Sequence, residues 1–234
     1  MELVRFDVDA RGVATITLNR PEQLNAINLE MRDLLWTYLE ACRDNPDVRL
    51  ILFRGEGRTF SAGADISEFG TAPSIIEARR ARHDRDVWGL LLGHRCITVA
   101  ALHGYCYGAG LELPLCCDYR IAAEGTRFAM PEVRLGIPSV VEAALLPRLI
   151  GSGRAAWLVL TGAPIDARRA CEWGLVEEIG GDEALERLLK SLLAGDREAL
   201  KVQKELLQLW DEAPLATSVA ESIQRFSAAR KFAP

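Results

Sequence analysis

Apolar and polar residues alternate from Leu3 to Val8 and again from Val13 to Leu18, around the turn-forming stretch Asp9-Ala10-Arg11-Gly12. Two alternating runs joined through a glycine predict a β-hairpin. The period then changes. Asn28 stands as an N-cap before Met31, Leu34, Leu35, Tyr38, Leu39 and Cys42, whose spacing predicts a helix with one apolar face. Val48 to Phe53 and Ile97 to Leu102 are short, nearly all-apolar runs of the kind seen in buried strands, and Tyr119 to Ala122 reads as a further strand. Between them, Ser74-Ile75-Ile76-Glu77 has the form of a capping box opening a helix to about Leu92. Beyond residue 125 the signals are mostly helical, over 139–150, 152–161, 167–173, 182–194 and 197–229.

Strands alternating with helices and then helices alone imply an α/β layered fold with a helical C-terminal region. In such folds chemistry sits at the carboxyl ends of the strands. Two of those ends are glycine-rich, near residues 57–64 and 104–110.

Composition narrows the classes. The 234 residues are 49% hydrophobic and 26% charged, ordinary values for a soluble globular domain with a helical appendage. The net charge is −5, and the longest basic cluster, Arg79-Arg80-Ala81-Arg82, is followed by Asp84 and Asp86. That pattern is a solvated helix face, so nucleic acid is not expected as a partner. The six cysteines form no CxxC, and most lie in apolar contexts such as Leu115-Cys116-Cys117. They read as reduced core thiols of an intracellular protein. With three histidines and no ligand spacing, no metal site is expected. No apolar run approaches the roughly 20 residues of a membrane span, and the charged N-terminal stretch does not resemble a signal peptide. A cytoplasmic location without membrane association is the expectation.

The stretch "GYCYGAGLELPLCCD" (104–118) follows one of the glycine-rich strand ends. Its spacing, G-x-x-x-G-x-G, is neither dinucleotide fingerprint nor phosphate loop. A turn through Gly108-Ala109-Gly110 into a helix leaves first-turn N–H groups pointing outward, where they favour an anion or a developing oxyanion. Ser61-Ala62-Gly63-Ala64-Asp65 offers the same device at the second strand end. Either loop alone reads equally as a tight turn. Glu112 would lie in the first turn of the helix after Gly108, among Leu111, Leu113 and Leu115, a setting in which a carboxyl holds its proton longer than in water. Glu132, after Pro131 in "FAMPEVRLGIPS", repeats the arrangement at another strand end. Two carboxylates beside two N–H donors suit proton chemistry next to a thioester carbonyl, and one such donor is worth ~3–4 kcal/mol in the transition state. Glu142, in "PSVVEAALL", reads as a third site carboxylate or as a helix-start glutamate. His103 reads as a structural hydrogen-bonding residue. Ser61 lacks the G-x-S-x-G context of a nucleophile.

Taken in order, "NRPEQLNAIN" (19–28), "FSAGADISEF" (60–69), "VAALHGYCYGAGLELPLCCDYRIAA" (99–123), "FAMPEVRLGI" (128–137) and "LTGAPIDARRACEWGLVEEI" (160–179) resemble the crotonase, or enoyl-CoA hydratase/isomerase, superfamily. The resemblance implies a spiral of ββα units forming two near-perpendicular sheets over residues 1–180. A helical region, 181–234, would drive assembly into a homotrimer or hexamer. It implies backbone N–H donors at Ala64 and Ala109, and glutamates at Glu112 and Glu132 acting on water and on the Cα proton. Acyl-CoA would run past Leu24, Ala26, Ala62, Asp65, Ile66 and Gly108, with coenzyme A carried as part of the substrate and no separate cofactor. Hydration of a trans-2-enoyl-CoA, or its reverse, is the implied reaction; isomerisation, decarboxylation and a non-catalytic RNA-binding or scaffold role are the alternatives. Two differences stand out. Ala109 replaces the usual middle glycine, and the segment after Glu132, "GIPSVVEAALLP", is bulkier than the glycine-rich stretch typical there.

Overall fold

The hairpin forms where the alternation places it. Strand β1 (Val4–Val8) pairs antiparallel with β2 (Val13–Leu18), setting Val4 opposite Leu18. This computed structural model describes residues 2–69, 74 and 85–229. Helix α1 (Leu29–Asp44) starts at Asn28, whose side chain accepts from the Met31 N–H at 2.9 Å, satisfying a donor the helix itself cannot pair. Its apolar face buries Met31, Leu35, Leu39 and Cys42.

Numbered in chain order, the further strands are β3 (Leu50–Gly55), β4 (Ile97–Leu102), β5 (Tyr105–Tyr107), β6 (Tyr119–Ala122), β7 (Arg127–Ala129), β8 (Ile165–Asp166) and β9 (Glu178–Ile179). One sheet runs β1-β2-β3-β4-β6-β9, parallel throughout except at the hairpin. A smaller sheet runs β5-β7-β8. The helices after α1 are α2 (Val87–Leu92), α3 (Ala109–Leu115), α4 (Leu146–Ile150), α5 (Ser152–Thr161), α6 (Ala167–Trp173), α7 (Asp182–Leu193), α8 (Arg197–Glu212) and α9 (Leu215–Ala229).

The apolar runs follow from a sheet covered on both faces. Leu50, Leu52, Ile97, Val99 and Ile121 pack with Ala184, Leu185 and Leu189 of α7. The alternate residues Ile51, Phe53, Ala100 and Leu102 join the larger core with Leu35 and Leu39 of α1 and Leu111 and Leu113 of α3. Helix α8 is tied to the sheet by Lys204. Its buried ammonium donates to Asp118 Oδ2 at 2.7 Å and to the Cys96 carbonyl at 2.9 Å, the pairing a buried charge requires.

Three expectations need correction. The single helix expected over 197–229 is two, because Pro214 lacks an N–H and pushes Ala213 into an extended conformation (φ −102°, ψ 152°). The helix expected over 139–150 is a 3-10 turn, Val141–Leu145, followed by α4, which has a proline in its first turn. Strands β5, β8 and β9 had no sequence signal, whereas β7 is the strand expected before Pro131. The capping box beyond Ser74, the Arg79–Arg82 cluster and His83 lie outside the described residues. Among the described residues no helix is long and apolar enough to cross a membrane.

Candidate active site

The two glycine-rich loops are laced into one structure. Ser61 N–H donates to the Tyr105 carbonyl at 3.0 Å, and Tyr107 N–H donates to the Ser61 carbonyl at 3.1 Å. On the other side, Ile27 N–H donates to Gly63 O at 2.8 Å, and Asp65 N–H to Ile27 O at 3.0 Å. In that parallel bridge Ala64 is the residue facing Ile27, so its own N–H and C=O point away from the pairing. Glycines permit the close approach: a Cβ on Gly110 would stand 2.6 Å from the Ser61 side chain.

Helix α3 begins at Ala109. Gly108 before it has φ 50° and ψ −125°, a conformation reserved in practice for glycine. Gly108 N–H is held by Ala129 O at 3.0 Å, and Gly108 O accepts from Leu111 and Glu112 N–H at 2.8 and 2.9 Å. Ala109, at the first helical position, is left with its N–H outside the helical ladder. Among the described residues neither the Ala64 nor the Ala109 N–H has a hydrogen-bond acceptor. Both alanines are half-buried, whereas Gly63, Gly108 and Gly110 are buried.

The two glutamates come from two different elements. Glu112 sits in the first turn of α3 and is 6% exposed, with Leu111, Leu113 and Leu115 buried beside it. Glu132 opens the 3-10 turn Pro131–Leu135 after β7. Its Oε1 fills the space where Gly108 would carry a Cβ, and its Oε2 accepts from the Ser139 hydroxyl at 2.9 Å. Gly108 thus lies beside the carboxylate of Glu132 and one helical turn from Glu112. The 3-10 turn bearing Glu142 packs on α3, and Glu142 Oε2 is buried. The buried Cys116 thiol records that placement: burial first, then Cys117, Glu142 and Glu112, push it far above the ordinary thiol range.

The residues expected along the acyl-CoA path also come together. Ala62 N–H donates to Leu24 O at 2.9 Å. Arg20 Nη1 bridges Ala26 O (3.0 Å) and Asp65 Oδ2 (2.5 Å). The Asp65 carboxylate also caps the 3-10 turn Ile66–Glu68, accepting from Ser67 N–H and Oγ. Ser67 first and Arg20 next pull its carboxyl down to about 2. Ile66 is 65% exposed at the edge of this loop.

Asn25 is a residue that sequence reading passed over. Leu24 and Asn25 both adopt the left-handed conformation (φ 52° and 53°), which Asn tolerates better than most residues. Fully buried, Asn25 accepts from Arg20 N–H at 2.8 Å and donates to Glu56 O and Thr59 O at 2.9 and 2.8 Å. Its own carbonyl accepts from Ser61 Oγ at 2.8 Å. Ser61 therefore braces the loop. His103 likewise bonds the Gly57 carbonyl at 3.0 Å. Among the described residues no cluster of His, Cys, Asp or Glu is placed to hold a metal ion.

The sequence pattern of the enoyl-CoA hydratase/isomerase family matches residues 9–231. The chain is 38% identical over 180 residues to a crotonyl-CoA hydratase of Syntrophomonas wolfei, covering 74% of this chain and 67% of that one. Its backbone superposes with a TM-score of 0.93 on an enoyl-CoA hydratase of Mycobacterium smegmatis (26% identity, 97% and 91% coverage). With a Thermobifida fusca enoyl-CoA hydratase, described as putative and solved in complex with CoA, the TM-score is 0.88 at 30% identity (97% and 92% coverage). The chain belongs to the enoyl-CoA hydratase/isomerase family, has the crotonase fold, and is an enzyme of the hydratase-like type.

Proposed function

We propose that this enzyme adds water across the double bond of a trans-2-enoyl-CoA to give the 3-hydroxyacyl-CoA, and catalyses the reverse dehydration. What supports the reading is the Glu132 carboxylate against Gly108, one residue before the Ala109 N–H, with buried Glu112 in the first turn of the helix that follows Gly108. The thioester oxygen lies between the N–H groups of Ala64 and Ala109. Glu112 takes a proton from water as its oxygen bonds to C3, and negative charge passes to the thioester oxygen as an enolate. Those two donors stabilise that charge where it develops. Glu132 then delivers a proton to C2, so one molecule of water is added in all, and exchange with solvent returns Glu112 to its ionised form and Glu132 to its protonated form.

A pair of carboxylates favours hydration over isomerisation, which can run on one base. The pantetheine arm follows Leu24, Ala26, Ala62, Asp65 and Ile66. We also propose a trimeric or hexameric assembly, supported by the exposed apolar stripe Leu215, Val219 and Ile223 on α9.

The test is turnover of crotonyl-CoA and a longer enoyl-CoA in isotopically labelled water. Loss of the conjugated-thioester absorbance with label appearing at C3 supports hydration. A shifted double bond without label at C3 would replace it with isomerisation, and CO2 released from a malonyl-type acyl-CoA, with no hydration of either enoyl-CoA, would replace it with decarboxylation.

A further inference from the structure

The bulkier segment after Glu132 contributes a side chain to the site. The chain leaves β7 through Pro131–Leu135, reverses at Gly136 (φ 77°), and is held closed by Ile137 N–H donating to the Glu132 carbonyl at 3.2 Å. That reversal returns Ser139 to Glu132, where its hydroxyl donates to Oε2 at 2.9 Å. The other oxygen, Oε1, lies against the bare Cα of Gly108. The two oxygens of a free carboxylate are equivalent, and its terminal torsion is soft. Here they are not equivalent. One is engaged by a hydroxyl, and the other lies at the mouth of α3 in the place a side chain on residue 108 would take.

We propose that Ser139 is a positioning residue for the proton transfer: by holding Oε2 it fixes the carboxylate plane of Glu132 and assigns Oε1 as the oxygen that carries the proton to substrate. The inference rests on the hydratase reading, in which Glu132 moves a proton. Ser139 acts only through Glu132 and belongs to a loop that Glu132 itself closes. Its removal therefore misorients the carboxylate without disturbing the Ala64–Ala109 side of the site, where the thioester is held. As Glu132 gives up its proton the carboxyl becomes charged, and a hydrogen bond to a developing charge is the kind whose loss is felt strongly.

The experiment is steady-state hydration of crotonyl-CoA by wild type, Ser139→Ala, Ser139→Thr and Glu132→Gln. We expect Ser139→Ala to lower kcat by roughly ten- to a hundredfold with KM within about twofold, because the lost interaction aids proton transfer and not thioester binding. Ser139→Thr, which keeps the hydroxyl, should recover most of that loss. A Ser139→Ala enzyme with unchanged kcat, beside an inactive Glu132→Gln enzyme, would overturn this role and leave the hydratase reading standing. A loss in Ser139→Ala that Thr does not restore, with KM rising in step, would also overturn it in favour of a packing role. An active Glu132→Gln enzyme would instead remove the reading on which the inference rests.

Discussion

Oε1 of Glu132 occupies the volume that a side chain on Gly108 would need. The glycine therefore does two separate things. Its positive φ turns β5 into α3, and its missing Cβ admits a carboxylate to the helix mouth. Gly108→Ala should fail on both counts. We expect a stability loss of about 1–3 kcal/mol from the strained backbone and a kcat about a hundredfold lower from the displaced carboxylate. Urea unfolding and steady-state kinetics on the same preparation separate the two. Full activity in a folded Gly108→Ala protein would mean the carboxylate position is unimportant.

Asn25 couples the turn at Arg20–Asn25 to the glycine-rich loop at 56–61 through its amide and its carbonyl. If the left-handed backbone were its sole contribution, Asn25→Gly would be neutral. Its three buried side-chain bonds predict otherwise: Asn25→Gly and Asn25→Ala should each cost about 2–4 kcal/mol in equilibrium unfolding, the alanine more because of its φ. A neutral glycine variant would contradict this account.

His94 is a pH liability in the core. Fully buried, it accepts at Nδ1 from Cys96 N–H, which leaves Nε2–H to donate to the Leu39 carbonyl at 3.0 Å. Burial, first among the causes, lowers its pKa to about 4 from an ordinary 6.5. The unfolded chain therefore binds this proton more readily than the native one between those values. Stability should be full above pH 6.5 and fall as pH drops toward 4, by on the order of 3 kcal/mol at most. Asp65, whose carboxyl is also held low, adds loss in the same direction below about pH 4. Thermal melts across pH 4–7 for wild type and His94→Gln test the histidine share, and the variant should show the shallower dependence. Parallel curves would assign the acid sensitivity elsewhere.

Much of this arrangement was legible from local pattern. The hairpin, the Asn28 cap, the buried strand before Gly104 and the first-turn position of Glu112 all depend on residues within a few positions of one another. What could not be read depends on distant partners. Tyr105–Tyr107 becomes a strand by pairing with Arg127–Ala129, and Ile165–Asp166 by pairing with the same segment; two or three residues carry no period to detect. Ser139 meets Glu132 only after the chain reverses at Gly136. The break at Pro214 was visible in principle, since a proline and the residue before it resist helix, yet the apolar spacing across 197–229 hid it. Glu142 was open between two roles. It lies in the first turn of a 3-10 helix, as a helix-start glutamate would, and that turn packs on α3.

In the proposed mechanism Glu112 and Glu132 together move the protons of hydration at an oxygen held by backbone N–H groups. The most direct measurement is the rate of crotonyl-CoA hydration by Glu112→Gln and Glu132→Gln, each verified as folded by circular dichroism. Each amide keeps the shape of the side chain and removes its basicity. Positioned acid–base groups are worth roughly a hundred- to ten-thousandfold each, so kcat should fall by at least that much in either variant while acyl-CoA still binds. Turnover in both variants close to that of the wild type would contradict the account.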